Sequence, residues 1–286
     1  MIKKIFVTAG VLLALYSLLI KILGGELRYS QNYWQDNMLV LQRFVYNPTQ
    51  NDNIILGSSL SLTGLNKLTP DYYNLAAGGA NPFTGLEIIK RTHKKVKRVF
   101  IETNYLLSKS PADDRYLGSI FTPILYDARK YWPVLLQKSQ PFSLAGGWLT
   151  QTIFPTVSVI DEKGLNPTMR AARIANFKQT NADSVAIKPT VAKNITRLAE
   201  YLAYLRSQGV ELYFFEMPVD CALTNNAQPV YFRNQINNFC KQYNIQQLAS
   251  EPCDNYNTKD GNHLDSASAE KYKQFFYSQV AKLGKP

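Results

Sequence analysis

Four short blocks along this chain carry groups able to do acyl chemistry. They are GSSLS from Gly57 to Ser61, NLAAGG from Asn74 to Gly79, ETN from Glu102 to Asn104 and DGNH from Asp260 to His263. A serine hydroxyl attacks an ester only when a base takes its proton, and an imidazole held by a carboxylate is the usual base. The chain has 2 histidines. His93 sits inside the cationic run RTHKKVKR at residues 91–98 with no carboxylate adjacent, so it reads as a surface residue. His263 follows Asp260 with Gly261 and Asn262 between them, a composition that permits a tight turn. Such a turn folds the carboxylate back onto one ring nitrogen and leaves the other for a serine. The same residues also read as a plain turn, with Asp265 or Ser266 capping a final helix. Both readings can hold, because capping uses different residues.

The tetrahedral intermediate of acyl transfer carries an oxyanion, and removing one donor aimed at it costs about 3–4 kcal/mol. Candidate donors are the backbone N–H of Ser59, the N–H of Gly79, where a side chain would obstruct close approach, and the side-chain amide of Asn104. The plainer readings are a turn glycine at 79 and a strand-end cap at 104.

These blocks must be held by regular elements. Apolar runs at 53–56 (NIIL), 72–75, 97–103, 210–217 and 245–248 read as buried strands, several of which stop where a polar block begins. Helical spacing recurs at 82–95 (Leu86, Ile88, Ile89), 191–207 (Ile195, Leu198, Leu202, Leu205) and 230–243 (Phe232, Ile236, Phe239). It returns in the last segment, at Tyr272, Phe275, Phe276 and Val280. The alternation predicts a three-layer α/β/α sandwich around a mostly parallel five-stranded sheet, with the site beyond the carboxyl ends of the strands. Residues 106–188 break the alternation. They hold Tyr116, Phe121, Tyr126, Tyr131, Trp132, Phe142, Trp148 and Phe154, interrupted by Pro123, Pro133, Pro141, Gly146 and Gly147. This is a largely helical insertion, either a lid or acceptor surface or a packing cap.

With 286 residues, 45% of them hydrophobic, the chain suffices for one catalytic domain at 28–286 behind an N-terminal segment at 1–27. Residues 5–23 are apolar apart from Lys21, whose stem can snorkel, and as a helix would span roughly 28 Å, enough to cross a hydrocarbon core. Lys3 and Lys4 argue for a cytoplasmic N-terminus, while Lys21 and Arg28 blunt that bias. A cleaved secretory signal is the alternative, although no A-x-A site follows. Either way the bulk of the chain is exported. Cys221, Cys240 and Cys253 fit one disulfide and a leftover thiol, or three unpaired residues; a Cys221–Cys253 pair would staple the histidine loop. The net charge of +11 comes from scattered cations, and the 91–98 run reads as a helix C-terminus or solvated face. No nucleic-acid module accompanies it, anionic headgroups or acidic glycans are the better match, and no metal or organic cofactor is called for.

With these residues in this order, the chain resembles the SGNH hydrolases of the GDSL superfamily over about residues 52–104 and 210–282. The resemblance implies a flavodoxin-like fold and a nucleophile at Ser59, the third residue of the first block. It places oxyanion groups at Ser59, Gly79, five positions after Asn74, and Asn104, and the acid/base pair at Asp260 and His263. Two positions depart from the family pattern. Ser58 replaces the first-block aspartate, which leaves Ser58 and Ser61 as alternative nucleophiles, and Tyr105 stands where many members have aspartate. Gly-Ser-Ser is similar to proteins of D-alanyl transfer in teichoic acid synthesis and to membrane-anchored relatives in exopolysaccharide acetylation. The implied activity is serine-dependent O-acyl transfer, foremost O-acetyl, to an exported or cell-envelope polysaccharide beside a membrane-bound O-acyltransferase. A membrane-anchored carbohydrate or lipid esterase or deacetylase, and a catalytically silent polysaccharide-binding scaffold, are the alternatives. The implied location is a bacterial cytoplasmic membrane, crossed once, with the domain periplasmic or at the cell surface.

Overall fold

Short apolar runs become parallel strands in the computed structural model, which describes residues 2–23, 33–47, 51–66, 68–141 and 165–283. The strands are β1 (Asn53–Leu56), β2 (Tyr72–Asn74), β3 (Arg98–Glu102), β4 (Glu211–Phe215) and β5 (Gln246–Gln247). The longer helices, in chain order, are α1 (Ile2–Leu23), α2 (Tyr33–Tyr46), α3 (Ser59–Gly64), α4 (Pro82–Thr92), α5 (Pro111–Ile120) and α6 (Leu125–Tyr131). They continue with α7 (Pro167–Thr180), α8 (Lys188–Ser207), α9 (Cys221–Thr224), α10 (Ala227–Tyr243) and α11 (Ser266–Val280). The chain divides into two compact units, Met1–Pro48 with Gly118–Ile160, and Thr49–Leu117 with Asp161–Pro286.

The second unit holds the sheet, in the order β2-β1-β3-β4-β5, with every pairing parallel. The chain leaves β1 for the edge strand β2 and returns on the other side of β1 as β3. That reversal is the topological switch point, where ligands bind beyond the strand ends. Register aligns Ile55 with Phe100 and Phe100 with Tyr213, so these share one face. Phe276 of α11 closes this face, meeting Phe100 edge-on at 5.4 Å and Phe215 at 5.3 Å. On the opposite face Phe214 stacks with Phe239 of α10, and Leu56 packs where Gly85 of α4 leaves room. The result is the predicted three-layer α/β/α sandwich.

Strand ends are shorter than the apolar runs suggest, most of all at β5, whose two residues are exposed while Ile245 and Leu248 beside them are buried. An edge strand needs only its flanking anchors to stay docked. The cationic run behaves as a helix end. Lys90 and Arg91 lie in the last turn of α4, and His93 closes it in the left-handed region at φ 52, donating its N–H to Ile89 O.

The first unit contains α1, which is long and apolar enough to cross a membrane, with mean hydropathy 1.8 over Ile2–Leu19 and none of that window buried. In α2 the buried residues Met38, Leu41, Phe44 and Val45 recur at helical spacing, and Gln42 Oε1 accepts the Gln137 N–H at 2.7 Å. The expected boundary at 27/28 lies outside the described residues, as do Phe142, Gly146, Gly147, Trp148 and Phe154. Of the expected insertion, residues up to Leu117 and from Asp161 belong with the sheet, and Gly118–Ile160 with the other unit.

Candidate active site

At the carboxyl end of β1 the chain turns through Gly57 into α3. Ser58 is the N-cap, its Oγ accepting the Leu60 N–H at 3.2 Å, and Ser59 is the first helical residue. Asn74, at the end of β2, donates from Nδ2 to Ser61 O at 2.8 Å and to Leu65 O at 3.0 Å, tying down the far end of this short helix. The three serines of the block then part company. Ser59 Oγ lies 2.8 Å from His263 Nε2. Ser58 Oγ and Ser61 Oγ instead donate to the carboxylate of Glu102, at 2.7 Å and 2.5 Å. Ser59, among the three, is the hydroxyl on the histidine.

The histidine comes from a turn closed by its own backbone. Thr258 and Leu264 form an antiparallel bridge, and Lys259 N–H donates to His263 O at 2.7 Å. Asp260 Oδ1 accepts the N–H groups of Asn262 and His263 at 3.0 and 2.8 Å, while Oδ2 faces His263 Nδ1 at 2.9 Å. Gly261 is required here, with φ +98 and space for a Cβ only 2.8 Å from Ile174 Cγ1. Burial would raise the Asp260 carboxyl, but the ring and backbone hydrogen bonds of His263, its charge and the Asn262 N–H outweigh that and hold it well below the usual carboxylate range. Asp265 caps α11, accepting the Ser268 N–H at 2.7 Å, so turn, cap and carboxylate–imidazole pair coexist.

The turn is clamped from outside. Arg170 of α7 donates to Thr258 O at 3.0 Å and Thr258 Oγ1 at 2.9 Å, and pairs with Asp220. Arg173 Nη2 stands 3.4 Å from Asp260 Oδ2. Asp220 N–H donates to Gly261 O at 2.8 Å, and the Cys221–Cys253 disulfide joins α9 to the segment leading into the turn, with Cα atoms 5.2 Å apart. Cys240 is the remaining thiol, buried in α10, and burial pushes its pKa up to about 12.

The candidate oxyanion residues occupy defined positions. Asn104, just past β3, exchanges two hydrogen bonds with the Met217 backbone, Nδ2 to O at 2.9 Å and Oδ1 from N–H at 2.8 Å. It therefore ties the end of β3 to that of β4, and its second Nδ2 hydrogen remains for another acceptor. Gly79 is exposed with φ +71, and a Cβ there would meet only Ala112 Cβ at 4.0 Å. Backbone conformation, not crowding within the protein, is what asks for glycine. Its carbonyl accepts the Ser110 hydroxyl at 2.9 Å. Tyr105 is pushed up to about 12 by burial and then by the charges of Glu102 and Asp260. Beside Asn104 and Asn262 a cavity of about 110 Å³ opens, lined also by Tyr105, Glu216, Leu223 and Arg233. Among the described residues no three His, Cys, Asp or Glu side chains cluster to hold a metal ion.

Sequence reasoning did not find the partners of Glu102, the Asn74 tie or the Arg170 and Arg173 contacts. The only local signal for the first was a glutamate at the end of an apolar strand, next to the block that supplies Asn104.

No family model and no curated protein matches the chain. Among solved structures, a candidate acylhydrolase from Bacteroides fragilis is similar at 9% identity and a TM-score of 0.44, covering 88% of this chain and 99% of that one. A likeness at that level carries no argument about activity, so the functional reading rests on the geometry.

Proposed function

We propose that this protein is a serine acyl-transfer enzyme, acting through an acyl-serine intermediate. The observation that carries the reading is the continuous hydrogen-bonded line Asp260–His263–Ser59, at 2.9 and 2.8 Å. In the first half-reaction His263 Nε2 takes the Ser59 proton as Oγ bonds to the ester carbonyl carbon. The tetrahedral intermediate collapses, the ester C–O bond breaks, and the imidazolium returns the proton to the leaving alcohol. In the second half an acceptor hydroxyl gives its proton to His263 and bonds to the acyl carbon; the acyl C–Oγ bond then breaks and the imidazolium returns the proton to Ser59 Oγ. Asp260 fixes the tautomer and orientation of the ring. The Ser59 and Gly79 N–H groups and the remaining Asn104 amide hydrogen are assigned to the oxyanion.

The acceptor in this reading is a hydroxyl of an exported or cell-envelope polysaccharide, and the transferred group is a short acyl, foremost acetyl. The donor is delivered by a membrane-bound O-acyltransferase. Support comes from α1, which would hold the domain near a membrane-embedded donor and so raise its effective concentration, and from the Cys221–Cys253 disulfide, which suits an oxidising, extracytoplasmic location. With water as acceptor the same steps make an esterase or deacetylase. The Ser59–His263 contact speaks against a catalytically silent scaffold.

Intact-mass analysis after exposure to p-nitrophenyl acetate and a serine-directed fluorophosphonate tests this. One adduct per chain, absent in Ser59→Ala and in His263→Ala, is the expected result, with slow release in water and faster release when a glycan acceptor is added. A chain that takes no adduct on any serine would sink the acyl-serine mechanism.

A further inference from the structure

Glu102 takes no part in those steps, yet it is fully buried at the end of β3, with 0% of its surface exposed. A carboxylate withdrawn from water is costly to keep unless its lone pairs are occupied. Here four donors occupy them. Oε2 accepts the Ser58 N–H at 2.9 Å, the Ser61 N–H at 3.1 Å and the Ser61 hydroxyl at 2.5 Å, and Oε1 accepts the Ser58 hydroxyl at 2.7 Å. All four are neutral and come from two residues, one immediately before Ser59 and one a half-turn after it.

The surroundings are built for this contact. A Cβ at Gly57 would lie 2.6 Å from Glu102 Oε2 and 2.3 Å from Ser61 Oγ, so only glycine lets the end of β1 close over the carboxylate. Register places Leu56 beside Ile101, which brings the end of β3 under the first turn of α3. With both N–H groups converging on a single oxygen, the turn cannot rotate without breaking two bonds. With both flanking hydroxyls committed to the same acid, neither is directed at the imidazole. An aspartate at 58 would set a second acid against Glu102, so the serine there and the glutamate form a matched pair.

We infer that Glu102 is the positioning residue of the nucleophile, a buried carboxylate that gathers the N–H and hydroxyl groups of Ser58 and Ser61 so that Ser59, and neither neighbour, is presented to His263. This inference rests on the reading of Ser59 as the acyl-accepting serine.

The test uses the full chain in detergent, with Glu102→Ala, Glu102→Gln and Ser61→Ala. The glutamine keeps the shape, can accept in place of Oε2 and can donate from its amide to Ser58 Oγ, so it is the conservative rescue. The first readout is the rate of fluorophosphonate labelling, with the labelled residue identified by peptide mass. A misplacement of about 1 Å costs on the order of 100-fold in rate. Glu102→Ala is therefore expected to label Ser59 about 100-fold more slowly, Glu102→Gln to recover to within about tenfold of the parent, and Ser61→Ala to add nothing further to Glu102→Ala. A role in stability alone would lower the melting temperature and leave the rate of the folded protein unchanged. Parental labelling rates in folded Glu102→Ala, or in Ser61→Ala should the former not fold, overturn the inference.

The second readout needs no acyl donor. Crystal structures of the parent, Glu102→Ala and Ser61→Ala report the Ser59 Oγ to His263 Nε2 distance, 2.8 Å in the parent. It is expected to open beyond hydrogen-bond reach in the variants, and its retention in both overturns the inference. A parent that takes no label at Ser59 removes the acyl-serine reading by itself, while these distances still decide for or against Glu102.

Discussion

The two halves of the candidate site are held in opposite ways. The elbow at Ser58–Ser59 is fixed from beneath, by a carboxylate with no exposed surface and by short bonds to backbone and hydroxyl groups. The Asp260–His263 turn is fixed from outside, by a disulfide, by Arg170 and Arg173 on a helix with no buried residues, and by its own backbone bridge. Ser59 thus inherits the rigidity of the sheet, whereas His263 depends on crosslinks that solvent, salt and reductant can reach. Damage to the core should act on the serine, and changes of medium on the histidine.

The largest expected effect comes from breaking the turn at its centre. Asp260→Asn would place an amide donor against His263 and favour the wrong tautomer, lowering the acylation rate by about 10⁴-fold, read with an activated ester. The elbow should be untouched, so the Ser58 and Ser61 contacts to Glu102 would persist in a crystal structure of that variant.

Next is the disulfide. Cys221 and Cys253 are separated by 32 residues, and opening a loop of that size costs about 3–4 kcal/mol of stability. Urea denaturation of the double Cys→Ser variant measures it, and hydrogen exchange should show the turn opening well before the amides of α3. Equal loss of protection in both regions would remove the contrast between them.

The elbow has a signature of its own in pH. Burial raises the Glu102 carboxyl above its ordinary 4.5, despite the four hydrogen bonds that pull it down. The folded state then binds this proton more tightly than the unfolded chain, so the contribution to stability grows as pH falls through the folded pKa and is complete below 4.5. Relative to Glu102→Gln, which has no such proton, the parent should gain stability from neutral to mildly acidic pH. Asp260, displaced downward, has the opposite sign, stabilising above the ordinary carboxylate range and losing that contribution only in strong acid. Denaturation of the two single variants across pH separates the two regions.

The smallest effect is at Arg173, whose side chain is 48% exposed and stands 3.4 Å from Asp260. Arg173→Gln should cost under about 1 kcal/mol, and salt should erase the difference. An effect that survives high salt would mean the arginine does more than screen the carboxylate.

Much of this arrangement was legible in the residue order. The apolar runs at 53–56, 97–103 and 210–217 carried their strands because a buried parallel strand must be apolar on both faces. Asp260 and His263 could be paired from their spacing because the contact closes within one turn, and Asp265 could be read as a cap for the same reason. The Cys221–Cys253 pairing was readable only as one option, since three cysteines do not choose among themselves. The Tyr72–Asn74 and Gln246–Gln247 strands were faint, being short edge elements whose pairing depends on neighbours more than on composition.

Local chemistry thus determined which side chains can serve the candidate site, a serine cluster, an Asp-x-x-His turn and a strand-end asparagine, and, separately, an apolar N-terminal helix. Only the tertiary structure decided among the serines. Glu102 meets Ser58 and Ser61 across more than forty residues of chain, through the register of β1 against β3, and no pattern within either segment encodes that register. The same holds for Arg170 and Arg173, which reach the histidine turn from α7. Contacts within a turn follow from spacing, while contacts between elements exist only after the sheet has aligned its strands.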